Sequence, residues 1–458
     1  MIKKMRKKEW DEEPELIFQD LLTKFPESLH STIRPITIEA AEKRCINRQS
    51  SIVNLSDLIL GIFDVVPEAF KSKVVEELGA LGVDVERYIN IKKYRDRVNI
   101  SWERFAKGFR PGVIHFAMYL TDKCNMKCIH CATDCKPRDE LSVEQWCQII
   151  ENLETSLKKQ GRHGTYIWFG GEPTLRNDIE EIMKYCYEND YNHAIITNGV
   201  KFTDHFAKMC KKYEMSHVFV SFDSANPEKN DEIRGFPNSL SYAQRAIQNC
   251  HKYGLFVCAS MTVMRQNFHE IEEMKVLAEE WGAVPFFRPV VKQKGSRAEE
   301  YWADIGLTIE QYKQLYEFKY TRAINAIQNG NAGNIPVFEI YEMTPFMEIP
   351  HNDQELAAID WGVGCQACKA MMGIEVDGTI YPTGYPTATT LGNALKDDFS
   401  DVLNSQLYKD IRDRKRNGKC GKCPHIKLCG GGCRVLTEAL TGDILGSFPY
   451  CWYENDDE

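Results

Sequence analysis

Short apolar segments alternate with amphipathic segments through the central part of the chain. The apolar segments end at Gly, Pro, Asn or Asp and predict six β-strands: Val113–Leu120, Thr165–Phe169, His193–Thr197, His217–Phe222, Leu255–Val263 and Val284–Val291. The segments between them carry apolar residues at helical spacing and predict helices over 178–187, 206–213, 241–253 and 271–281. Another helix, before the second strand, begins at the capping box Ser142-Val-Glu-Gln145.

The alternation of strand and helix indicates the fold class. Strands separated by helices favour parallel pairing through right-handed crossovers. We therefore predict an α/β fold with a partial (β/α)6 TIM-like barrel, because six units are fewer than the eight of a closed barrel. Functional side chains in such a barrel lie at the carboxyl ends of the strands.

The regions on either side of this barrel differ from it in composition. Residues 1–108 have helical spacing in Pro35–Arg44 and Ser56–Phe63, so they predict a mainly helical N-terminal module before the break at Arg110-Pro-Gly. A second capping box, Thr308-Ile-Glu-Gln311, opens a predicted helical bridge, and the chain becomes rich in Gly and Cys from about residue 361. The predicted domains are residues 1–108, 109–305, 306–360 and 361–458.

Charge and hydropathy argue against several classes of function. The 458-residue chain has 57 Lys and Arg against 66 Asp and Glu, a net charge of −9, so it has no general basic field for nucleic acid or an anionic membrane. Its charged N-terminus lacks the apolar segment of a secretory signal, and no apolar run is long enough to span a bilayer. We therefore expect a cytoplasmic protein, whose 17 cysteines stay reduced and point to metal binding or catalysis.

Three cysteines, Cys124, Cys128 and Cys131, form a CxxxCxxC pattern directly after the first predicted strand. Three thiolates on a short loop can hold three corners of a [4Fe–4S] cluster and leave the fourth iron open. The alternative is a structural zinc site, which usually closes with a fourth Cys or His at a characteristic spacing. Cys135, four residues further on, is the candidate for that fourth ligand.

This loop, with His130 before the third cysteine and the strand pattern behind it, resembles the radical S-adenosylmethionine (SAM) superfamily. The resemblance implies that the open iron chelates the amino and carboxylate groups of SAM, and that the three cysteines of the loop are catalytic. It also implies that His130 packs against the cluster without an acid–base role. Cys135 is then a bystander.

Four further segments lie where the resemblance predicts contacts with SAM. The residues that it nominates are Gly170, Gly171, Glu172, Thr197, Asn198, Ser221, Asp223 and Arg234. The two glycines would let the ligand approach the backbone, Glu172 would take the SAM ammonium, and Arg234 would pair with the SAM carboxylate. The others would reach the ribose and methionyl groups. Each motif alone is also compatible with ordinary turn chemistry.

A second set of cysteines follows the bridge. It consists of Cys365, Cys368, Cys420, Cys423, Cys429, Cys433 and Cys451. Their spacing resembles the SPASM extension of radical SAM enzymes, which binds two auxiliary [4Fe–4S] clusters; a zinc ribbon is the alternative. The resemblance assigns Cys420, Cys423, Cys429 and Cys451 to the cluster farther from SAM. It assigns Cys365, Cys368 and Cys433 to the nearer one.

The fourth ligand position of the nearer cluster is occupied by Thr383. A threonine hydroxyl is a poor ligand for the iron of such a cluster. Three outcomes remain open: an iron that is free to bind a ligand, a replacement ligand from elsewhere, or a lost cluster. We favour a bound cluster with an open or unusual fourth site, because the other three cysteines are retained as a set.

Several other residues have two interpretations each. The remaining cysteines are expected to pack in the core, and Cys258 is a conceivable hydrogen donor. Arg288 either lines a substrate cavity or forms a salt bridge at the barrel mouth. The basic stretch Lys409–Lys419 is either a solvated helix face or a docking patch, at Arg414, Lys415 and Arg416, for a reducing partner such as flavodoxin or ferredoxin.

The complete prediction is an α/β partial (β/α)6 TIM-like barrel with an N-terminal helical module and a C-terminal Cys-rich iron–sulfur domain. The resemblance implies an enzyme that cleaves SAM reductively to a 5′-deoxyadenosyl radical and abstracts a substrate hydrogen, acting on a peptide or protein side chain. The alternatives are a radical SAM enzyme acting on a small molecule, such as a sugar, tetrapyrrole or other cofactor precursor, and a non-catalytic electron carrier. Peptide maturases often begin with a winged-helix element containing a short β-sheet, so a helical N-terminal module weighs against a peptide.

Overall fold

A computed structural model of the chain describes residues 8–47, 50–66, 68–85, 88, 113–133, 138–328 and 364–453. The chain divides into two compact units, residues 1–97 with 322–335 and residues 98–321 with 336–458. The first boundary therefore lies before the predicted residue 108. Cys135, the break at Arg110 and residues 329–360 of the predicted bridge lie outside the described residues.

The larger unit is built on one mixed sheet. Its strands are β3 (Val113–Thr121), β4 (His163–Gly170), β5 (Asn192–Thr197), β6 (His217–Ser221), β7 (Val257–Val263), β8 (Val284–Pro289), β9 (Met371–Ile374), β10 (Thr379–Tyr381) and β11 (Gly392–Asn393). Strands β3 to β8 overlap the six predicted segments and pair in parallel in chain order. The predicted α/β architecture is confirmed.

The C-terminal region adds three strands to this sheet, which the sequence analysis did not predict. The strand order is β11-β10-β9-β3-β4-β5-β6-β7-β8. Strand β9 pairs in parallel with β3, from His115–Met371 to Met118–Ile374, and β10 and β11 continue as antiparallel neighbours. The cysteine loop after β3 and the cysteine-rich C-terminal region are thus joined through one sheet.

Helices connect the parallel strands and extend beyond them. The connecting α-helices are Val143–Lys158, Ile179–Glu188, Asp204–Lys212, Pro227–Arg234, Ser239–Tyr253 and Ile271–Glu280, with short 3-10 helices at Pro173–Leu175 and Phe268–Glu270. Later helices are Arg297–Glu300, Trp302–Ile305, Ile309–Gln328, Phe399–Asn404, Gln406–Arg412, Gly418–Lys422, Ile426–Cys429 and Arg434–Thr441. Both predicted capping boxes are formed, at Ser142 with Gln145 and at Thr308 with Gln311.

The sheet is covered on both faces. Every residue of β3 is buried, which explains why its sequence is a continuous apolar run rather than an alternating one. The helix Val143–Lys158 buries the apolar face that its sequence predicts, including Trp146 and Ile150. This packing fixes the carboxyl ends of the strands, where the loops begin.

The smaller unit has its own core. Its described helices are Glu12–Thr23, Glu27–Asn47, Leu55–Val65 and Glu68–Ala80, and β1 (Glu9–Trp10) pairs in parallel with β2 (Ile52–Val53). Phe18, Leu22, Leu58, Ile59 and Leu78 are among the buried residues that pack together. Apart from the two-residue strands, the described part of this module is helical, as its periodicity predicts. Among the described helices of the whole chain, none has the length and apolar character needed to cross a membrane.

Candidate functional site

The loop after β3 carries Cys124, Cys128 and Cys131 into one cleft of about 820 Å³, a volume that includes its open mouth. Backbone hydrogen bonds hold this loop from two sides. Gly171 N donates to Thr121 O at 2.7 Å, and Lys127 N donates to Arg234 O at 3.1 Å. The turn after β4 and the end of the helix Pro227–Arg234 therefore position the three thiols.

The two glycines after β4 are required by this close backbone packing. A Cβ on Gly171 would lie 2.2 Å from Lys123 O, and one on Gly170, whose φ is +118°, would lie 2.4 Å from Thr121 O. The space beside them is thus filled by the cysteine loop. Both glycines also line the cleft. Glycine is required at both positions because the cysteine loop packs directly against their backbone. The sequence analysis had explained the two glycines only by the close approach of a ligand.

Glu172 joins the turn after β4 to the turn after β5. Its Oε1 accepts hydrogen bonds from the hydroxyls of Thr174 and Thr197 at 2.5 and 2.7 Å, and its Oε2 accepts from Asn198 N at 2.8 Å. Burial raises the pKa of Glu172, although these hydrogen bonds act in the opposite direction. Among the described residues, Glu172 has no ion-pair partner, and its buried carboxyl group lines the cleft.

Asp223 holds two basic side chains beside the thiols. Its Oδ2 lies 2.8 Å from His130 Nε2 and 2.8 Å from Arg234 Nε, and its Oδ1 accepts from Thr262 N at 2.8 Å. Burial opposes ionisation, yet Arg234 and His130 hold the pKa of Asp223 at about 2. The carboxylate is therefore occupied by protein groups, while Arg234 extends Nη1 to 3.6 Å from Cys128 Sγ.

The remaining nominated residues lie at the same cleft. Thr197, Asn198 and Ser221 line it, and Asn198 Nδ2 donates to Asn125 Oδ1 of the cysteine loop at 2.7 Å. The sequence analysis missed Asn125 and the lining residue Thr262. Asn125 lies within the CxxxCxxC pattern, so its position in the sequence could have identified it. Thr262 lies far from that pattern in the sequence, and only the folding of β7 beside the cleft brings it there.

The donor set fits the groups that the resemblance implies. Burial raises the pKa of Cys124 to about 12. Burial also raises the pKa of Cys128, although the positive charge of Arg234 acts to lower it. Such thiols become thiolates when iron supplies the positive charge. Among the described residues, no three His, Cys, Asp or Glu side chains are placed to hold a single metal ion.

A second cavity adjoins the cleft, with a volume of about 1280 Å³ that includes its solvent-open part. Both are lined by Phe169, Ile196, Arg288, Pro289, Val291 and Tyr385. Farther from the cleft, the walls of the cavity include Phe219 and Phe286 as well as Cys365, Cys433 and Thr383. The cavity thus extends from the candidate SAM site to the nearer set of C-terminal cysteines.

Thr383 is engaged in a turn. Its Oγ1 donates to Tyr385 O at 2.5 Å and accepts from Tyr385 N at 3.2 Å. Nearby, Cys365 N donates to Cys429 O at 3.2 Å, and Cys368 N donates to Pro382 O at 2.9 Å. Burial acts to raise the pKa of the Cys365 thiol, but the guanidinium groups of Arg434 and Arg416 hold it below its usual value.

The farther set is drawn together from three segments. Cys420 and Cys429 are buried, and burial raises the pKa of Cys429 to about 12, with Cys420 and Cys451 close enough to contribute. Cys451 is positioned by its neighbours, because Tyr450 packs 5.1 Å from Tyr312 and Trp452 packs 6.2 Å from Tyr316, centroid to centroid. Both partners lie on the helix Ile309–Gln328.

Both interpretations of the basic stretch, a solvated helix face and a docking patch, are wrong for two of its residues. Arg414 and Arg416 are buried, and only Lys415 is exposed. Arg416 donates to the carbonyls of Gly430, Gly432, Ile444 and Gly446 at 2.8 to 3.2 Å. A local run of basic residues does not reveal that the segments on either side of the helix Arg434–Thr441 supply these carbonyls. Cys258, the conceivable hydrogen donor, is buried in β7 and belongs to the lining of neither cavity.

Sequence comparisons place this chain beside known enzymes. The model of the radical SAM superfamily matches residues 118–278, and that of the SPASM iron–sulfur cluster-binding domain matches residues 365–424. Mycofactocin maturase MftC of Mycobacterium tuberculosis is 30% identical over 357 residues, which cover 76% of this chain and 85% of MftC. Fe-coproporphyrin III synthase of Methanosarcina barkeri is 26% identical over 381 residues, which cover 77% of this chain and 90% of that enzyme.

Solved structures share the fold. Streptococcus suis SuiB bound to S-adenosylmethionine matches with a TM-score of 0.55 at 19% identity, over 86% of this chain and 92% of SuiB. Native anSMEcpe with bound AdoMet and the Cp18Cys peptide matches with a TM-score of 0.55 at 19% identity, over 74% of this chain and 94% of that chain. At this identity the likeness establishes the common architecture.

Proposed function

Because the chain belongs to the radical SAM superfamily and carries a SPASM domain, we propose that it abstracts a hydrogen atom from a peptide side chain bound in the 1280 Å³ cavity. The chain is an enzyme, and [4Fe–4S] clusters and SAM are its cofactors. The observation that carries the proposal is that this cavity opens onto the cleft of the three loop cysteines. A substrate there would be adjacent to SAM.

The residues of the cleft take the following roles in the proposal. Cys124, Cys128 and Cys131 hold the SAM-binding cluster, Glu172 receives the ammonium of SAM, and Arg234, oriented by Asp223, receives its carboxylate. Gly170 and Gly171 fix the cysteine loop, and Thr197, Asn198 and Ser221 contact the rest of SAM. When bound, the reduced cluster and SAM supply a 5′-deoxyadenosyl radical that removes a hydrogen atom from the substrate.

The walls of the cavity protect this chemistry. Phe169, Ile196 and Tyr385 lie at the junction of cleft and cavity. Their apolar surfaces exclude water and bring the substrate close to the reacting carbon, and proximity of this kind supplies much of the rate in enzymes. The peptide assignment is supported by the relative MftC, whose name is that of a maturase.

A second substrate class is favoured by a different relative. The similarity to Fe-coproporphyrin III synthase covers 90% of that enzyme. A tetrapyrrole is a flat apolar body with carboxylate side chains, and the lining of the cavity includes aromatic rings. This is the alternative to a peptide.

The proposal also includes the auxiliary clusters. Cys365, Cys368 and Cys433 hold the nearer one, and Cys420, Cys423, Cys429 and Cys451 hold the farther one. Thr383 is not a ligand in this proposal, because its hydroxyl is hydrogen-bonded within the turn to Tyr385. The nearer cluster would therefore have an iron without a protein ligand, facing the substrate cavity.

The domain organisation and cellular context are part of the same proposal. The predicted helical module, barrel, bridge and cluster domain are kept as sequence segments, with the barrel and the cluster domain joined through one sheet. Thiols kept available for iron fit the reducing cytoplasm, and an external donor such as flavodoxin or ferredoxin would supply the electron.

Production of 5′-deoxyadenosine tests the enzymatic part. Anaerobically reconstituted protein is reduced with dithionite and supplied with SAM and deuterium-labelled candidate peptides. We expect 5′-deoxyadenosine that carries deuterium from the modified peptide, none with Cys128→Ala, and wild-type production with the matched control Cys147→Ala. Absence of 5′-deoxyadenosine from the wild type would overturn the proposal; deuterium transfer from a tetrapyrrole but from no peptide would favour the second class.

Iron and sulfide counts test the cluster assignment. We expect about twelve irons per chain for three cubanes. Thr383→Val should keep that number, because it removes only a hydroxyl, whereas Cys365→Ala should lose about four. About eight irons in the wild type would refute the nearer cluster. A loss of about four irons in Thr383→Val would make the hydroxyl a ligand after all.

A further inference from the structure

Arg288 stands on β8 at the junction of the cleft and the cavity and lines both. Its guanidinium carbon lies 5.4 Å from the ring centroid of Phe286 and 5.9 Å from that of Tyr385. Nη2 has one long hydrogen bond, 3.4 Å, to the hydroxyl of Ser260, and Nε is buried without a hydrogen-bond partner. Among the described residues, Arg288 forms no ion pair, so the structure does not support the salt bridge that the sequence left open.

Three other guanidinium groups in this unit have more polar partners than Arg288 has, although Nε of Arg234 also lacks a hydrogen bond. Arg234 pairs with Asp223, and Arg138 pairs with Asp122 and Glu375. Arg416 has no carboxylate partner but donates to backbone carbonyls at four positions. A guanidinium has five N–H donors and is costly to remove from water unless they are used. The polar environment of Arg288 is therefore incomplete without an additional acceptor.

The position of Arg288 indicates what that acceptor is. The walls around it are the rings of Phe169, Phe286 and Tyr385, so the ligand has an apolar body. The rigid fork of a guanidinium matches a carboxylate with two parallel hydrogen bonds, and the aromatic faces keep the charge oriented toward the cavity. A carboxylate bound here would place the carbon atoms next to it at the mouth of the SAM cleft.

We propose that Arg288 binds a carboxylate of the substrate and thereby selects carboxylate-bearing molecules with an apolar or aromatic body. The inference rests on the proposed function and specifies its substrate class. A peptide with a free C-terminus and a tetrapyrrole with propionate side chains share this chemistry. Arg288 is thus a specificity-determining residue, and its role can be tested by measuring substrate binding without measuring turnover.

The experiment measures binding of matched acids and neutral derivatives to the cluster-loaded enzyme. The peptide pair is N-acetyl-leucyl-tyrosine and its C-terminal amide, followed by calorimetry. The tetrapyrrole pair is coproporphyrin III and its tetramethyl ester, followed by their visible absorption. The variants are Arg288→Gln, Arg288→Lys and the matched control Arg265→Gln, which changes an exposed arginine that donates to Ala303 O.

We expect wild-type enzyme and Arg265→Gln to bind the acid of at least one pair about tenfold or more tightly than its neutral derivative, because only the acid can accept charge-assisted hydrogen bonds from Arg288. Arg288→Gln should abolish the difference, and Arg288→Lys should restore part of it. The pair that shows the effect identifies the source of the carboxylate. Equal binding of acid and neutral derivative in both pairs, no binding of either acid, or a preference that survives Arg288→Gln would overturn the proposal.

Two controls separate this result from neighbouring explanations. SAM itself has a carboxylate, so its affinity is measured in the same variants. We expect Arg288→Gln to leave it unchanged, and a loss of SAM binding without a change in acid preference would assign Arg288 to SAM and refute the substrate role. Formation of 5′-deoxyadenosine by the wild type without added substrate shows that the proposed radical SAM function holds even if the acid preference fails.

Discussion

Nη1 of Arg234 lies 3.6 Å from Sγ of Cys128, while Nε of the same side chain lies 2.8 Å from Oδ2 of Asp223. One guanidinium therefore connects a buried carboxylate to a candidate cluster ligand. Arg234 is 6% exposed and Asp223 is fully buried, so the pair is held in a fixed geometry away from solvent. The pair serves to orient the guanidinium of Arg234, because a buried ion pair contributes little net stability. The loss of one partner is nevertheless costly.

Asp223→Asn should weaken SAM binding more than the same substitution at an exposed aspartate does. The amide keeps the size of the side chain but leaves Arg234 buried without its counter-charge, at a cost of about 3 to 5 kcal/mol in unfolding free energy. We expect the dissociation constant of SAM to rise about tenfold or more, as measured by equilibrium binding to the reconstituted protein. The control Asp204→Asn removes an exposed carboxylate, bonded to Lys252 and Tyr253, and should change neither quantity appreciably. Wild-type SAM affinity in Asp223→Asn would show that Arg234 is oriented by something else.

Gly171→Ala should release the cysteine loop. The new Cβ would stand 2.2 Å from Lys123 O, which belongs to backbone and moves only with the loop. We expect iron and sulfide to fall by about one cubane, four irons per chain, with the auxiliary clusters retained. Gly79→Ala is the matched control, because nothing lies within 4 Å of its Cβ and alanine favours a helix. Full iron content in Gly171→Ala would mean that the loop tolerates the displacement.

The sequence predicted those features that are encoded locally. The strands of the barrel are continuous apolar runs between helical segments, so β3 to β8 were found in their correct order. The spacing of Cys124, Cys128 and Cys131 specified the loop, and the turn at Glu172 was identified by its two glycines. All of these depend on residues close together in the chain.

The features that were missed depend on long-range pairing. Strand β9 has only four residues and is a strand because β3 offers it an unpaired edge. Arg416 looks like a surface cation in the sequence, and it is buried because carbonyls before and after the helix Arg434–Thr441 surround it. Arg288 was recognised, but only the assembled cavity distinguishes a substrate contact from a salt bridge.

Arg416→Leu should remove the auxiliary clusters. The substitution leaves the carbonyls of four residues without their donor, each at a cost of about 1 to 3 kcal/mol, on either side of the helix that follows Cys433. We expect iron to fall from about twelve to about four per chain, because only the cluster of the first loop is independent of this region. The measurement is chemical iron and sulfide analysis.

The matched control for Arg416 is its neighbour Lys415, which is exposed and forms an ion pair with Asp410 at 3.0 Å. Lys415→Leu should keep all clusters, since an exposed pair contributes about 1 kcal/mol or less. If Lys415→Leu lost iron as Arg416→Leu does, the effect would come from charge in this segment rather than from the buried hydrogen bonds.

His217 should make the stability of the barrel depend on pH below neutrality. The ring is buried in β6, 2.9 Å from the Ser216 hydroxyl at Nδ1, and burial together with His115 and His193 holds its pKa well below the usual value of 6.5. The folded protein therefore keeps the ring neutral, while the unfolded chain binds a proton below about pH 6.5, so stability falls as the pH falls by about 1.4 kcal/mol per unit. Asp223 does not affect this window, because a carboxyl with a pKa of about 2 changes stability only below about pH 4.

Anaerobic thermal unfolding between about pH 7.5 and 5.5 measures this dependence. Wild-type protein should lose about 1 to 2 kcal/mol of stability across the range through this ring, and His217→Leu should have a correspondingly shallower slope even if its absolute midpoint is lower. The control His205→Leu changes an exposed histidine on the helix Asp204–Lys212 and should keep the wild-type slope. Since the slope rather than the midpoint is compared, a packing defect in His217→Leu does not imitate the effect. Equal slopes in wild type and His217→Leu would show that the acid sensitivity of the barrel has another source.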